Sequence, residues 1–393
     1  MLSLSSFTNP LVSKVTSDSQ TGSNELEQNL VENTAESVRK LKEIDSMIVS
    51  NDANGTSLES LQTIANNQKQ VVQTQTMLVA SSELAIAQSL MDGIGGYSIK
   101  VDTVQRWTIG STAAFGAAVE EMLSSILAKP LEGIESENLF QLALLDALGN
   151  LEEYGLANDR DFITKSGAIL EKIGSGSHTT WDYTPSGILD LIDDVWSKLS
   201  DNGLVPSSSV ASRAMSALSG NNITNSVPTI LSDQFSDSVY MDINRGGWIV
   251  DDLDDLSPMV RMVLLSEAIA SQAMTFGQVD TVLSGSKQEV DAVMNAIAQK
   301  DAINYLWDEC GAWQDNIPSN TAPSGITGSI DYDGTISVAY LNQLGARFPP
   351  RELTAEEVSE INNIGDQVKI IQQTLKYWIQ LCVEEQLAIA RNL

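Results

Sequence analysis

Basic residues are scarce in this chain: 22 Lys plus Arg stand against 52 Asp plus Glu in 393 residues, a formal net charge of -30. A phosphate backbone is held by clustered Lys and Arg, and no such cluster occurs, so nucleic acid is excluded as an expected partner. Anionic membrane surfaces are disfavoured on the same ground. The acidity itself reads as solubility and mutual repulsion between copies. Cysteine is nearly absent too. Cys310 and Cys382 lie far apart with no Cys-x-x-Cys, which rules out a disulfide framework or a thiolate metal site and leaves one bridge open. His178 is the only histidine, so any His-based zinc site or Ser-His-Asp scheme would depend on it alone. No run of about 18 apolar residues exists to span a bilayer as a helix.

What is present begins with a Ser- and Thr-rich stretch. Ten of the first 23 residues are Ser or Thr, and Lys14 and Asp18 are its only charges. Without a basic region or a continuous apolar core it is no ordinary secretory signal peptide. Its composition predicts a segment that stays disordered until something binds it. From Asn24 the pattern turns helical, with Leu26, Leu30, Leu41, Ile44 and Ile48 on one stripe, broken by "SNDANGT" at 50–56. Thr56 and Glu59 have capping-box spacing and open a second helix, expected to run to Leu90 before "DGIGG" stops it. Residues 24–92 therefore predict a helical hairpin. Between Val71 and Leu90 the sole charge is Glu83, and a helix so poor in charge is covered on several faces.

Residues 93–203 read as further helices. "SENLFQLALLDALGNLEEYG" carries an apolar face with breaks at Gly149 and Gly155, and "PSGILDLIDDVWSKLSDNG" is expected to end at Gly203. "GSGSHTTWDYTPSG" between them has loop composition. Residues 204–350 read as mixed, polar at first. Two hairpins are expected there, one around Asn244 to Gly247 and one turning at Asp333-Gly334. Ser257-Pro258 marks a helix start, and Ser286 with Glu289 forms another capping box.

The last segment, 354–393, carries the most regular signal. Thr354 and Glu357 cap a helix on which Ile361, Ile364, Val368, Ile371, Leu375, Trp378 and Cys382 follow at intervals of 3, 4, 3, 4, 3 and 4. That is the spacing of a coiled-coil seam, which needs a partner helix. We take these residues as the assembly seam, packed either on the N-terminal hairpin or on another subunit. The expected fold is thus mainly α: an N-terminal helical hairpin packed with a long C-terminal helix as a coiled-coil stalk, with an inserted helical and small α+β middle region.

Candidate chemical sites are thin. His178 sits in the Ser- and Gly-rich stretch with no supporting motif. Asp331-x-Asp333-Gly334 has the look of an EF-hand centre, but its frame puts Tyr340 where the bidentate Glu belongs, so the hairpin reading is preferred. Asp251, Asp252, Asp254 and Asp255 read as negative charge before the positive end of the helix starting at Pro258, rather than as a cation site. "GIGGY" has no strand before it and no Lys after it, so it is not a phosphate loop. No catalytic constellation, metal site or cofactor is expected.

The Ser/Thr-rich start at Met1 to Asn24, the hairpin from Asn24 to Leu90, the mixed middle and the closing helix from Thr354 to Leu393 together resemble the layout of type III secretion needle-tip and extracellular filament proteins. The resemblance covers the layout of the whole chain, and the class usually has a shorter middle. It implies terminal helices that pack as supports, export signalled by the first residues without a cleaved signal peptide, a cytoplasmic export chaperone, self-assembly or docking outside the cell, and no enzymatic activity. The expected function is a non-enzymatic, secreted, self-assembling structural or interaction protein, with itself or other assembly subunits as partners. Two alternatives stay open: a virion structural protein, and a soluble helical toxin or enzyme whose site the sequence does not disclose.

Overall fold

A computed structural model describes residues 24–76, 84–131, 133–179, 184–201, 205–220, 223–235, 248–251, 254–271, 274–315 and 330–392. The arm at 1–23 lies outside them. The chain is mainly α and forms two compact units. One combines residues 1–105 with 353–393, and the other comprises 106–352. The terminal unit thus draws on both ends of the chain.

In the terminal unit, α1 (Asn24–Asn54) and α2 (Leu58–Thr76) form a hairpin around Gly55, whose φ of 91° lies in the left-handed region. The cap of α2 is Ser57, which accepts from Ser60 N, and not Thr56 as the spacing suggested. α3 (Leu84–Ile109) corrects a second expectation. The "DGIGG" stretch does not stop a helix at residue 92; it lies inside α3, which runs on past the boundary of the unit. Glycine costs about 1 kcal/mol in a helix interior. Burial of Leu90, Ile94, Tyr97 and Val101 along the same face outweighs that cost. The long α15 (Ala355–Asn392) starts at a capping box: Glu357 N donates to Thr354 Oγ1 at 3.1 Å and Thr354 N to Glu357 Oε2 at 2.9 Å.

The inserted unit holds α4 (Ser111–Leu127), α5 (Glu135–Gly149), α6 (Arg160–Lys172), α7 (Pro185–Leu199), α8 (Val210–Leu218), α9 (Thr229–Ser232), α10 (Pro258–Ser271), α11 (Phe276–Ser284), α12 (Lys287–Ala298), α13 (Ala302–Glu309) and α14 (Val338–Ala346). One apolar core runs through it, so the expected division between 93–203 and 204–350 is not a structural one. α8 shows why: in a stretch that reads as polar, Val210, Ala211, Ala214, Met215 and Leu218 bury a full face against α5. α5 itself is buried nearly all round. α7 stops at Leu199, ahead of the expected Gly203, which lies outside the described residues.

Among the described residues, four short strands complete this unit, in the order β2-β1-β4-β3: β1 (Gly176–Thr179), β2 (Trp248–Asp251), β3 (Trp313–Asp315) and β4 (Ile330–Tyr332). β1 falls in the stretch read as loop, because its partners are remote. It pairs antiparallel with β2, His178 opposite Ile249, and parallel with β4, His178 opposite Ile330. The hairpin expected at Asp333-Gly334 is also corrected. β4 pairs back with β3, Tyr332 opposite Trp313, and Gly334 (φ 99°) leads into α14, where Ser337 caps by accepting from Tyr340 N. The first arm of the hairpin expected around 244–247 lies outside the described residues, and the second arm, β2, pairs with β1.

Two polar fasteners hold the unit. On α5, Glu137 Oε2 accepts from Gly174 N at 2.9 Å, while the amide of Asn138 bonds both the backbone N–H and the hydroxyl of Ser175. Gln141 Nε2 donates to the carbonyls of Leu170 and Ile173. At the start of α10, buried Arg261 donates to the carbonyls of Leu256, Val282 and Gly285 and to Asp255. Asp255 is thereby the partner of Arg261 as well as a negative charge near the start of that helix.

Candidate functional site: the seam of the C-terminal helix

The seam residues meet inside the terminal unit. Ile361, Ile364, Val368, Leu375, Trp378 and Cys382 are buried, and Ile371 is partly buried against the same cluster. Their neighbours are Leu41 and Ile44 of α1, Leu61, Ile64, Val71 and Val72 of α2, and Ala87, Leu90, Ile94, Tyr97 and Val101 of α3. Gly93 of α3 faces Ile371, where an added Cβ would make only an ordinary contact at 3.5 Å with Ile371 Cδ1. Of the two partners left open by the sequence, the structure supplies the one within the chain. Trp378, 0 % exposed, is enclosed whole, its indole N–H without an acceptor.

Ion pairs fix the direction of packing. Lys376 pairs with Asp45 at 2.6 Å and Lys369 with Asp52 at 2.7 Å, so α1 and α15 run antiparallel. Lys100 of α3 pairs with Glu360 at 2.8 Å.

A polar layer crosses the apolar packing, and the hydrophobic spacing gave no sign of it. Tyr97 Oη donates to Gln68 Oε1 at 2.7 Å, and Gln68 Nε2 donates to Gln372 Oε1 at 3.2 Å. Gln372 Nε2 donates onward to the carbonyl of Leu41 at 3.2 Å and to Asp45 Oδ1 at 3.1 Å. The chain of bonds therefore touches α3, α2, α15 and α1 in turn. Both amides are buried, Gln68 at 0 % and Gln372 at 2 % exposure. Burial pushes the Tyr97 phenol well above its ordinary pKa, so it remains a donor at any physiological pH. A second contact, Gln75 Nε2 to Ser37 Oγ at 2.9 Å, ties α2 to α1. The one available signal was the run of uncharged polar residues in the second arm of the hairpin, which includes Gln75. Gln68 and Gln372 are indistinguishable in sequence from surface glutamines.

The opposite face of α15 is different. Ile370 and Tyr377, seven residues apart, are 64 % and 63 % exposed. Two successive apolar positions at heptad spacing thus face solvent on the helix whose other side is filled.

The remaining candidates carry no assembled chemistry. His178 lies on β1, and its side chain is outside the described residues. Among the described residues, no group of three or more His, Cys, Asp or Glu is placed to hold a metal ion. "GIGGY" is helical. Cys310 and Cys382 are buried, and neither is in a disulfide. Among the described residues, no helix is long and apolar enough to cross a membrane.

No family model matches the chain, and no curated protein or solved structure matches it.

Proposed function

We propose that the protein is a non-enzymatic, self-assembling structural or interaction protein of the needle-tip and filament type, exported from the cell that makes it. The observation that carries this reading is that both ends of the chain build one helical unit, while the middle folds around a core of its own. A support made from the two ends leaves the inserted unit free to vary, which is how a module is presented on an assembly. The seam on α15 serves the internal support, so contacts between copies must use other surfaces. In this reading an export chaperone acts before secretion and holds the N-terminal arm.

The test is light scattering with electron microscopy of the purified full chain, together with export of a chain lacking residues 1–22. Rings, filaments or a defined oligomer are expected, and the truncated chain should keep its melting behaviour but remain in the cell. A monomer at every concentration, or normal export of the truncated chain, would overturn the proposal.

A further inference from the structure

The three most exposed large apolar side chains among the described residues all belong to the terminal unit: Ile370 and Tyr377 of α15, and Val49 of α1 at 63 % exposure. They share one face. In α15, Lys369, Gln373 and Lys376 lie along the side turned to α1, because the two lysines reach Asp52 and Asp45. In α1, Asp45, Val49 and Asp52 follow at the matching helical spacing, so Val49 stands between the two ion pairs, beside Gln373. Ile370 and Tyr377 each follow one of those lysines and lie opposite the core that holds Leu375 and Trp378.

That face also lacks charge. The exposed residues of α15 between 367 and 383 are Gln367, Ile370, Gln373, Thr374, Tyr377 and Gln380, and the lysines beside them are paired, Lys369 with Asp52 and Asp366 and Lys376 with Asp45. In a chain of net charge -30, two copies repel each other over most of their surface. A neutral apolar strip is where a second copy can approach without that repulsion, whereas a basic partner would be drawn to the carboxylates elsewhere on the chain. The strip is also its own complement. Ile370 and Tyr377 lie at equal distances on either side of the point between Gln373 and Thr374, which suits an isologous contact between antiparallel helices.

We propose that this face of α15, with Val49 at its flank, is the contact between two copies of the chain: a two-fold axis passes between Gln373 and Thr374, the two α15 helices run antiparallel, and Ile370 of each packs on Tyr377 of the other. The inference rests on the self-assembly proposed above and names a surface for it, in place of the seam, which is filled from within the chain. It sets Glu384 of each copy level with the uncharged Asn363 of the other. From 363 to 384 the helix is about 33 Å long, and α1 and α15 side by side are about 20 Å wide. About 650 Å² is thus covered on each copy, which is the low end of specific interfaces and suits a dimer that forms at about micromolar concentration.

The experiment is sedimentation velocity of the full chain from below to above micromolar concentration. The wild type should pass from monomer to dimer, the unit from which larger assemblies are built. Ile370→Glu and Tyr377→Glu, both at exposed positions, should keep the melting temperature of the monomer and raise the dissociation constant by about tenfold or more. Gln373→Cys places a thiol beside the axis while Cys310 and Cys382 are buried, so diamide should join two copies through it. Asn363→Cys, on the same helix but about 30 Å from its mate, should not cross-link. A dimer unchanged in both glutamate variants, or equal cross-linking at 363 and 373, would overturn this contact while leaving self-assembly intact; a wild type that stays monomeric would overturn both. A chain lacking residues 1–22 should dimerise like the full chain, and a markedly tighter dimer in it would assign the face to the N-terminal arm and overturn the proposal.

Discussion

Gln68 and Gln372, 304 positions apart in sequence, meet amide to amide inside the terminal unit, with Gln68 Nε2 donating to Gln372 Oε1 at 3.2 Å. Apolar seams tolerate slippage by a heptad, because one aliphatic side chain replaces another at little cost. A buried amide does not, since a slipped register leaves its donors and acceptor unsatisfied. The bond thus selects one alignment of α2 and α15, and through Leu41, Asp45 and Tyr97 it selects the places of α1 and α3 as well.

Gln372→Ala removes the acceptor for Gln68 and the donor to Leu41 O and Asp45, and should destabilise the terminal unit by about 1–3 kcal/mol in urea unfolding. The pair Gln68→Leu with Gln372→Leu should cost less than the sum of the single changes, because neither side then strands the other. Additive losses would show that the two amides are not coupled.

Trp378 and Tyr377 are adjacent in sequence and opposite in environment. Trp378→Ala should cost about 3–5 kcal/mol through the cavity it leaves, whereas Tyr377→Ala should stay within about 0.5 kcal/mol. Leu375→Asp should be severe, placing a charge among buried residues. Melting of the three variants side by side checks the orientation of α15; equal effects at 377 and 378 would contradict it.

Arg261→Met should cost roughly 3 kcal/mol or more, since it leaves three carbonyls and Asp255 without their shared donor. Arg261→Lys should recover only part of the loss, because an ammonium cannot reproduce the planar fork. Full recovery by lysine would reduce the residue to a simple charge.

The thiols should be silent in the native state. Burial, with the charge of Glu267 added, pushes the Cys310 pKa up to about 12, and Cys382 is closed within the other unit. A disulfide-exchange reagent at pH 8 should label neither cysteine until urea is added, and then both. Fast labelling before unfolding would place a thiol at the surface.

Much of the terminal unit was legible in the sequence. Thr354 and Glu357 named their own cap, Gly55 its own turn, and the 3-4 spacing from Ile361 to Cys382 the face that ends up buried. These signals are local, because a helix satisfies its backbone four residues away and a stripe of side chains reports its own burial. The same reasoning misplaced the end of the second helix at "DGIGG", where glycine propensity gave way to the packing of Ile94 and Tyr97. It also read β1 as loop, because nothing in "GSHT" announces that Trp248–Asp251 and Ile330–Tyr332 will flank it.

The sequence by itself determined the mainly α class, the capped start of α15 and the face of that helix that needed cover. The tertiary structure alone decided what covers that face, which glutamines lie inside, where the strands pair, and that residues on either side of position 203 share one core. The physical reason is range. Turn, cap and periodicity are settled between residues a few positions apart, whereas a strand ladder and a buried amide pair exist only once distant parts of the chain have been brought into contact.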